Sequence, residues 1–255
     1  AHQLKRALIT PNLGMLDGIA TWDGYDNLMS RRVSRLLALI GSDRATIGDS
    51  LANATGTLQE KAGVLAQRQP ILDRLGIRYL TSAVPLPEPP FTRRLTHTTT
   101  DLGIPVYVYE NPSAQPFAYV AGAVQTIPPG ETAAYGLVAQ ASSTTPDVLE
   151  CALCPPLGQH PRGSVRVTLR QPQDLALEVS ADAPALVVVL QSALPGWTAA
   201  VDGTPTPIYT VNSVAQGVVV PTGEHTITLR YRYATVISAA LQQLQHRFVL
   251  PRTDR

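Results

Sequence analysis

The sequence predicts an α+β protein, a small N-terminal α/β layer followed by a C-terminal antiparallel β-sandwich, and three observations carry this expectation. Apolar residues recur at helical spacing in the first third, the hydrophobic period drops to two after about Asp147, and turn residues separate short extended runs in that second part. The expected boundaries are 1–146 for the α+β unit, 147–233 for the sandwich and 234–255 for an amphipathic C-terminal helix and tail. With 255 residues, 44% hydrophobic and 15% charged, the chain can bury one large core or two smaller ones.

Over 27–40, Leu28, Met29, Val33, Leu36, Leu37 and Ile40 line one side of a helix with Arg31, Arg32 and Arg35 opposite. Asp26 or Asn27 is placed to accept from the free amides of its first turn. A second helix is expected over 57–68. A third begins at Pro70, suited to the first helical position, and stops at Gly76. Residues 77–82 then read as a strand. Pro85, Pro87, Pro89 and Pro90 interrupt both helical and sheet hydrogen bonding, so 83–91 reads as a loop and a seam between layers. Residues 104–109 and 117–124 look extended on either side of the turn at Glu110-Asn111-Pro112, and 131–141 suits a helix.

In the second part, Val165, Val167 and Leu169 alternate with Arg166, Thr168 and Arg170, Leu175, Leu177 and Val179 follow, and Ile227, Leu229, Tyr231 and Tyr233 repeat the pattern. Each such strand has one dry face. Residues 185–191 are apolar on both sides, as in a central covered strand. Asp202-Gly203 and Thr222-Gly223 supply hairpin turns. Six to eight short strands joined this way indicate a sandwich. Beyond them, Val236, Ile237, Leu241, Leu244 and Phe248 share one helix side, but Gln242, Gln243, Gln245, His246 and Arg247 unfit the second half of that helix for a bilayer.

Composition removes several function classes. A formal net charge of +1 lacks the basic excess of a nucleic-acid binder. No run approaches the roughly 18 to 20 apolar residues that cross a bilayer, so the chain as given reads as soluble. Its start, Ala1-His2-Gln3-Leu4-Lys5-Arg6, has no apolar leader and no Met, which reads as a mature fragment or an excised domain. His2, His97, His160, His225 and His246 are scattered without metal-ligand spacing, and no nucleophile elbow, phosphate loop, dinucleotide fingerprint or HExxH is present. No catalytic residue, metal or cofactor is therefore expected.

Asp23-Gly24-Tyr25-Asp26 packs two carboxylates and a phenol into four residues, a set that suits a cation or sugar hydroxyls, although a glycine turn followed by an aspartate cap explains it more simply. Trp197 in Pro195-Gly196-Trp197 offers either a sugar platform or, in the favoured reading, a plug sealed into the end of the sandwich. Asp202, at the expected hairpin tip, completes the candidate binding set. Cys151 and Cys154 have redox spacing, but Pro155-Pro156 follows where a reactive pair would open a helix, so a local disulfide is expected in an oxidising compartment. His225 is expected to hydrogen-bond its own turn. Arg230 and Arg232 share a strand face that suits lipid phosphates or plain water.

Three stretches together resemble the C-terminal extracytoplasmic part of the YfhO family of bacterial polytopic membrane proteins, which are similar to GT-C glycosyltransferases. The most specific runs from Leu194-Pro195-Gly196-Trp197 to Val201-Asp202-Gly203, then through Val218-Val219-Val220-Pro221-Thr222-Gly223-Glu224-His225 to Leu229-Arg230-Tyr231-Arg232-Tyr233. Tyr109-Glu110-Asn111-Pro112-Ser113-Ala114-Gln115-Pro116-Phe117-Ala118-Tyr119 resembles the family's YENPxAxPRAY segment, with Phe117 where a basic residue is usual. Pro11-Asn12-Leu13-Gly14-Met15, Gly24-Tyr25-Asp26-Asn27-Leu28 and Leu72-Asp73-Arg74-Leu75-Gly76 fit further family patterns. The family's membrane helices and its acidic loop residue have no counterpart in these residues, so the resemblance carries over no catalytic group.

The resemblance implies a non-catalytic extracytoplasmic domain at the cell membrane, attached through transmembrane segments outside this sequence. Its expected work is scaffolding, or contact with a saccharide or lipid-linked glycan acceptor. The rival expectations are a free carbohydrate-binding β-sandwich and, weakest, a hydrolase using Asp23 and Asp26. Neighbouring carboxylates on one turn seldom reach the roughly 5 to 9 Å opposed geometry of glycosidases.

Overall fold

The computed structural model describes residues 30–41, 58–98, 103 and 105–232, and there the protein is mostly β, with antiparallel sheets and a few helices. The expected C-terminal helix lies outside the described residues. Helix α1 (Arg31–Gly41) begins where Ser30 Oγ accepts from the Val33 amide at 3.3 Å. The cap is thus Ser30. Asp26 and Asn27, the expected caps, lie outside the described residues. Leu36 and Ile40 of α1 enter an apolar cluster with Leu65 of α2 (Leu58–Gln67) and Ile71 and Leu72 of α3 (Gln69–Arg74).

Helix α3 stops in a motif that requires a left-handed residue. The Gly76 amide donates to Asp73 O at 3.0 Å and the Ile77 amide to Leu72 O at 2.9 Å, with Gly76 at φ +65°. A side chain at Gly76 would also meet Leu190 Cδ1 at 2.4 Å, so helix and sheet touch through its bare backbone. Strands β1 (Tyr79–Ser82), β2 (Thr92–Thr98) and β3 (Pro105–Glu110) follow as a three-stranded sheet in the order β1-β3-β2. Strand β2 was not predicted, because Thr92-Arg93-Arg94-Leu95-Thr96-His97-Thr98 is exposed along its whole length and has no alternation to read. The proline loop before it sends Leu86 and Phe91 into the helical core.

The sandwich is formed by two further sheets. One holds β7 (Gly163–Arg170), β8 (Asp174–Ala181), β10 (Trp197–Val201), β11 (Thr204–Thr206) and β14 (Gly223–Tyr231) in the order β11-β10-β14-β8-β7. The other holds β4 (Ala118–Val120), β5 (Val124–Ile127), β6 (Asp147–Glu150), β9 (Ala185–Ser192), β12 (Tyr209–Val211) and β13 (Ala215–Val220) in the order β4-β9-β13-β12-β6-β5. The alternation seen in the sequence sets the register: Ile227 faces Leu177 and Leu229 faces Leu175 across β14 and β8, and all four are buried. Val187, Val189, Val218 and Val220 meet them from the opposite sheet.

Two features depart from the expected organisation. Residues 118–127, on the N-terminal side of the boundary drawn at 146/147, supply two strands of the six-stranded sheet, so the layers share backbone hydrogen bonds. The stretch 117–124 is not one extended run, since β4 and β5 occupy opposite edges of that sheet and only 121–123 join them. Laid flat, those edges would stand about 24 Å apart, whereas the link reaches about 14 Å at most. The sheet must curl. Ala121 N donates to Leu186 O on β9 at 2.9 Å and Ala123 O accepts from Asp147 N on β6 at 3.0 Å, which draws the edges together. Leu149, Leu186, Val188 and Val211 fill the inside of the curl. Helix α4 (Glu131–Ala139) connects β5 to β6, the one parallel pair among the described residues.

Candidate functional site

Where the helical layer meets the end of the sandwich, the surface opens into a cleft of about 710 Å³, within the usual size of a small-molecule site. Gly76 and Arg78 contribute one wall, Gln115 and Phe117 the second, and Arg170 and Gln191 the sandwich side, with Ser192 and Asn212 deeper in. Among the described residues, no aspartate, glutamate, histidine, lysine or cysteine lines it.

The floor is a buried hairpin turn between β12 and β13. Asn212 and Ser213 both take positive φ, 48° and 70°, and both are buried, although turns ordinarily sit in water. The sequence signal for this turn was the Asn-Ser pair itself, since asparagine tolerates that backbone region. Polar partners hold it in place. The Asn212 amide donates to Val148 O and its Oδ1 accepts from Val148 N, both at 2.9 Å, while Nδ2 donates to Asp147 Oδ1 at 2.7 Å. The same carboxylate oxygen accepts from Tyr119 Oη at 3.0 Å and from Arg74 Nη1 at 3.4 Å. Burial, with the Asp147 charge beside it, holds the Tyr119 phenol far above its ordinary range, so it remains a donor. Arg74, itself buried, also binds the carbonyls of Ser142, Thr145 and Pro146.

From the helical side Arg32 grips both Glu150 oxygens, at 2.6 and 3.0 Å, and donates to Ser213 O at 3.1 Å. Arg31 and Arg35 converge on Glu131, whose carboxyl is held below its usual range by the Arg31 hydrogen bond. Gln216 Nε2 donates to Ser192 O at 3.1 Å, while its Oε1 and Ser213 Oγ are buried without a partner.

The wall of the cleft explains two stretches quoted above. Asn111 is fully buried, and its Nδ2 donates to Asp73 Oδ1 at 2.7 Å and to Ile77 O at 3.1 Å. Ser113 Oγ adds a 2.8 Å bond to the same carboxylate, and Tyr109 Oη accepts from the Leu86 amide at 3.0 Å. Tyr109 to Ser113 therefore lock onto the end of α3. Glu110 binds Arg94 and Arg78, and these hydrogen bonds hold its carboxyl below the usual range. Phe117, where the resemblance expects a basic residue, carries the Arg170 guanidinium 3.9 Å from its ring centre.

Of the predicted binding residues, Asp23, Tyr25 and Asp26 lie outside the described residues. Trp197 opens β10 and packs on the inter-sheet core, 5.5 Å from the Tyr231 ring, but it stays partly exposed where a sealed plug was expected. It stands at the end of the strand, where cover from the two sheets is incomplete. Asp202 stands at the other end of β10, about 16 Å away along the strand. The two do not form one site. The Asp202 carboxylate is occupied by His225 Nδ1 at 2.7 Å and the Thr226 amide at 2.8 Å, which fixes the hairpin ends to each other. His225 also reaches Thr222 O at 3.4 Å, the turn bond expected of it. Arg230 and Arg232 stand 3.7 and 3.9 Å from Asp174. Cys151 and Cys154 form a disulfide. Among the described residues no three His, Cys, Asp or Glu side chains gather to hold a metal.

The sequence reading missed the cleft because its residues come from separate segments and none belongs to a catalytic motif. No family model, no curated protein and no solved structure matches this chain.

Proposed function

We propose that this chain is a non-catalytic extracytoplasmic domain of a YfhO-like, glycosyltransferase-like membrane protein, and that it contacts a saccharide or a lipid-linked acceptor through the cleft. The observation that carries this reading is the lining: an aromatic ring, side-chain amides, a hydroxyl and two arginines, with no titrating pair among the described residues to exchange a proton with a substrate. Such a surface binds and orients. The Cys151–Cys154 disulfide supports placement on an oxidising side of a membrane. No helix among the described residues is long and apolar enough to cross a membrane, so on this reading attachment comes from elsewhere in the parent protein.

A glycan array probed with the purified 255-residue chain tests the contact. Retention on saccharides, lost in Phe117→Ala, is the expected result. Uniform absence of binding, repeated with a lipid-linked sugar in detergent, overturns the saccharide contact and leaves scaffolding. The same cleft would serve a freely secreted carbohydrate-binding sandwich. Fractionation of source cells separates the two: recovery in a carbonate-resistant membrane pellet favours the membrane protein, and recovery in the medium favours the free one.

A further inference from the structure

We infer that the cleft selects a sugar ring carrying a negative charge, a carboxylate or a phosphate, with the ring against Phe117 and the charge at Arg170. This rests on the saccharide reading above and adds the sign of the ligand.

Among the described residues the lining contains two arginines and no acidic residue, so the charge it carries is positive. Arg170 is the decisive group. Among the described residues it has no carboxylate within salt-bridge distance, and no hydrogen bond engages its five N–H donors. Its guanidinium carbon lies 3.9 Å from the centre of the Phe117 ring, a cation–π contact that uses none of its N–H donors and leaves them for another acceptor. That geometry suits the paired oxygens of a carboxylate or phosphate.

Among the described residues, the near rim adds to this positive charge. Arg78 shares the single carboxylate of Glu110 with Arg94, so that rim keeps one excess positive charge. The side-chain amides of Gln115 and Gln191, which make no hydrogen bond to protein among the described residues, face the cleft as neutral partners for hydroxyls. A purely anionic ligand would leave those amides and the ring unused, and a neutral sugar would leave Arg170 unused.

The 255-residue chain is titrated at low salt with glucose, glucuronate, glucose 1-phosphate and inorganic phosphate, followed by calorimetry. Expected is binding of one or both charged sugars at least tenfold tighter than glucose, weakening as salt is raised. The glucuronate and glucose 1-phosphate arms tell carboxylate from phosphate. Arg170→Gln should remove the advantage of the charged sugar while leaving glucose binding as it was, and Arg170→Lys should restore part of it. An unchanged melting curve for both variants keeps the loss from being a folding defect. Equal binding of glucose and both charged sugars overturns the charge inference and leaves the saccharide contact standing. Inorganic phosphate binding as tightly as the sugar phosphate, with Phe117→Ala silent, overturns the sugar part. No binding of any probe overturns both.

Discussion

Between its two sandwich sheets the protein is held by aliphatic contact, whereas at the seam between helices and curled sheet it is held by arginines, carboxylates and buried amides. The first interior contains Leu175, Leu177, Val187, Val189, Ile227 and Leu229, none of which has a hydrogen bond to satisfy from its side chain. The second is crossed by Arg32 to Glu150, Arg74 to Asp147 and Asn212 to Asp147. Apolar contact is non-directional and tolerates small shifts. A polar seam does not, because every donor needs its acceptor at one place. The cleft lies along the directional seam, so the groups that line it inherit fixed positions.

Mutation can break this contrast. Asp147→Ala should give the largest loss, roughly 3 to 5 kcal/mol, because it leaves Arg74, Asn212 and Tyr119 buried without their shared acceptor. Denaturant unfolding measures it, and Asp147→Asn should recover part. Leu177→Ala, fully buried between the sheets, should cost about 3 kcal/mol and leave the cleft unaltered. If instead the leucine variant lost ligand binding while Asp147→Ala retained it, the assignment of positional control to the seam would be wrong.

The smallest effect concerns the partly exposed hairpin pair. His225 is raised from 6.5 by its hydrogen bond to Asp202, so its contribution is full below about pH 6.5 and fades as pH rises through the higher folded value. Asp202 is lowered from 3.8 by the same hydrogen bond, so its contribution is present above that pH and fades as pH falls through the lower folded value. The melting-temperature difference between the protein and His225→Phe should therefore be greatest between about pH 4 and 6.5 and shrink as pH rises through the higher folded value of His225. A difference that is flat with pH would show that the pair carries no charge-dependent stability.

What could be read from the sequence follows the same division. Period-two alternation in Leu175 to Val179 and Ile227 to Leu229 reported a buried face, because water exclusion acts on each residue independently of its partner, whereas the same pattern in Val165 to Leu169 misled, since β7 is an edge strand on which Val167 and Leu169 stay exposed. Strand β2 was invisible, since a strand exposed on both faces leaves no trace in hydropathy. The curl was invisible too, being a consequence of which edges β4 and β5 join. The seam could not be read because Arg32 and Glu150 are 118 residues apart, and nothing local tells an arginine in water from one that crosses a layer. Ser30 caps α1, and the sequence does not separate it from the expected Asp26 or Asn27 because all three residue types cap helices equally well. Phe117 was noticed as a departure, but the guanidinium above it comes from β7.

The short link between β4 and β5 also dictates an order of events during synthesis. Strand β5 finds β6 soon after both leave the ribosome, but Ala118 pairs with Val189, about seventy residues further on. The nascent protein therefore carries one margin of its future sheet unmatched until that later stretch has been translated. A pause or truncation before it would expose a strand with no mate, the state in which chaperones are most needed.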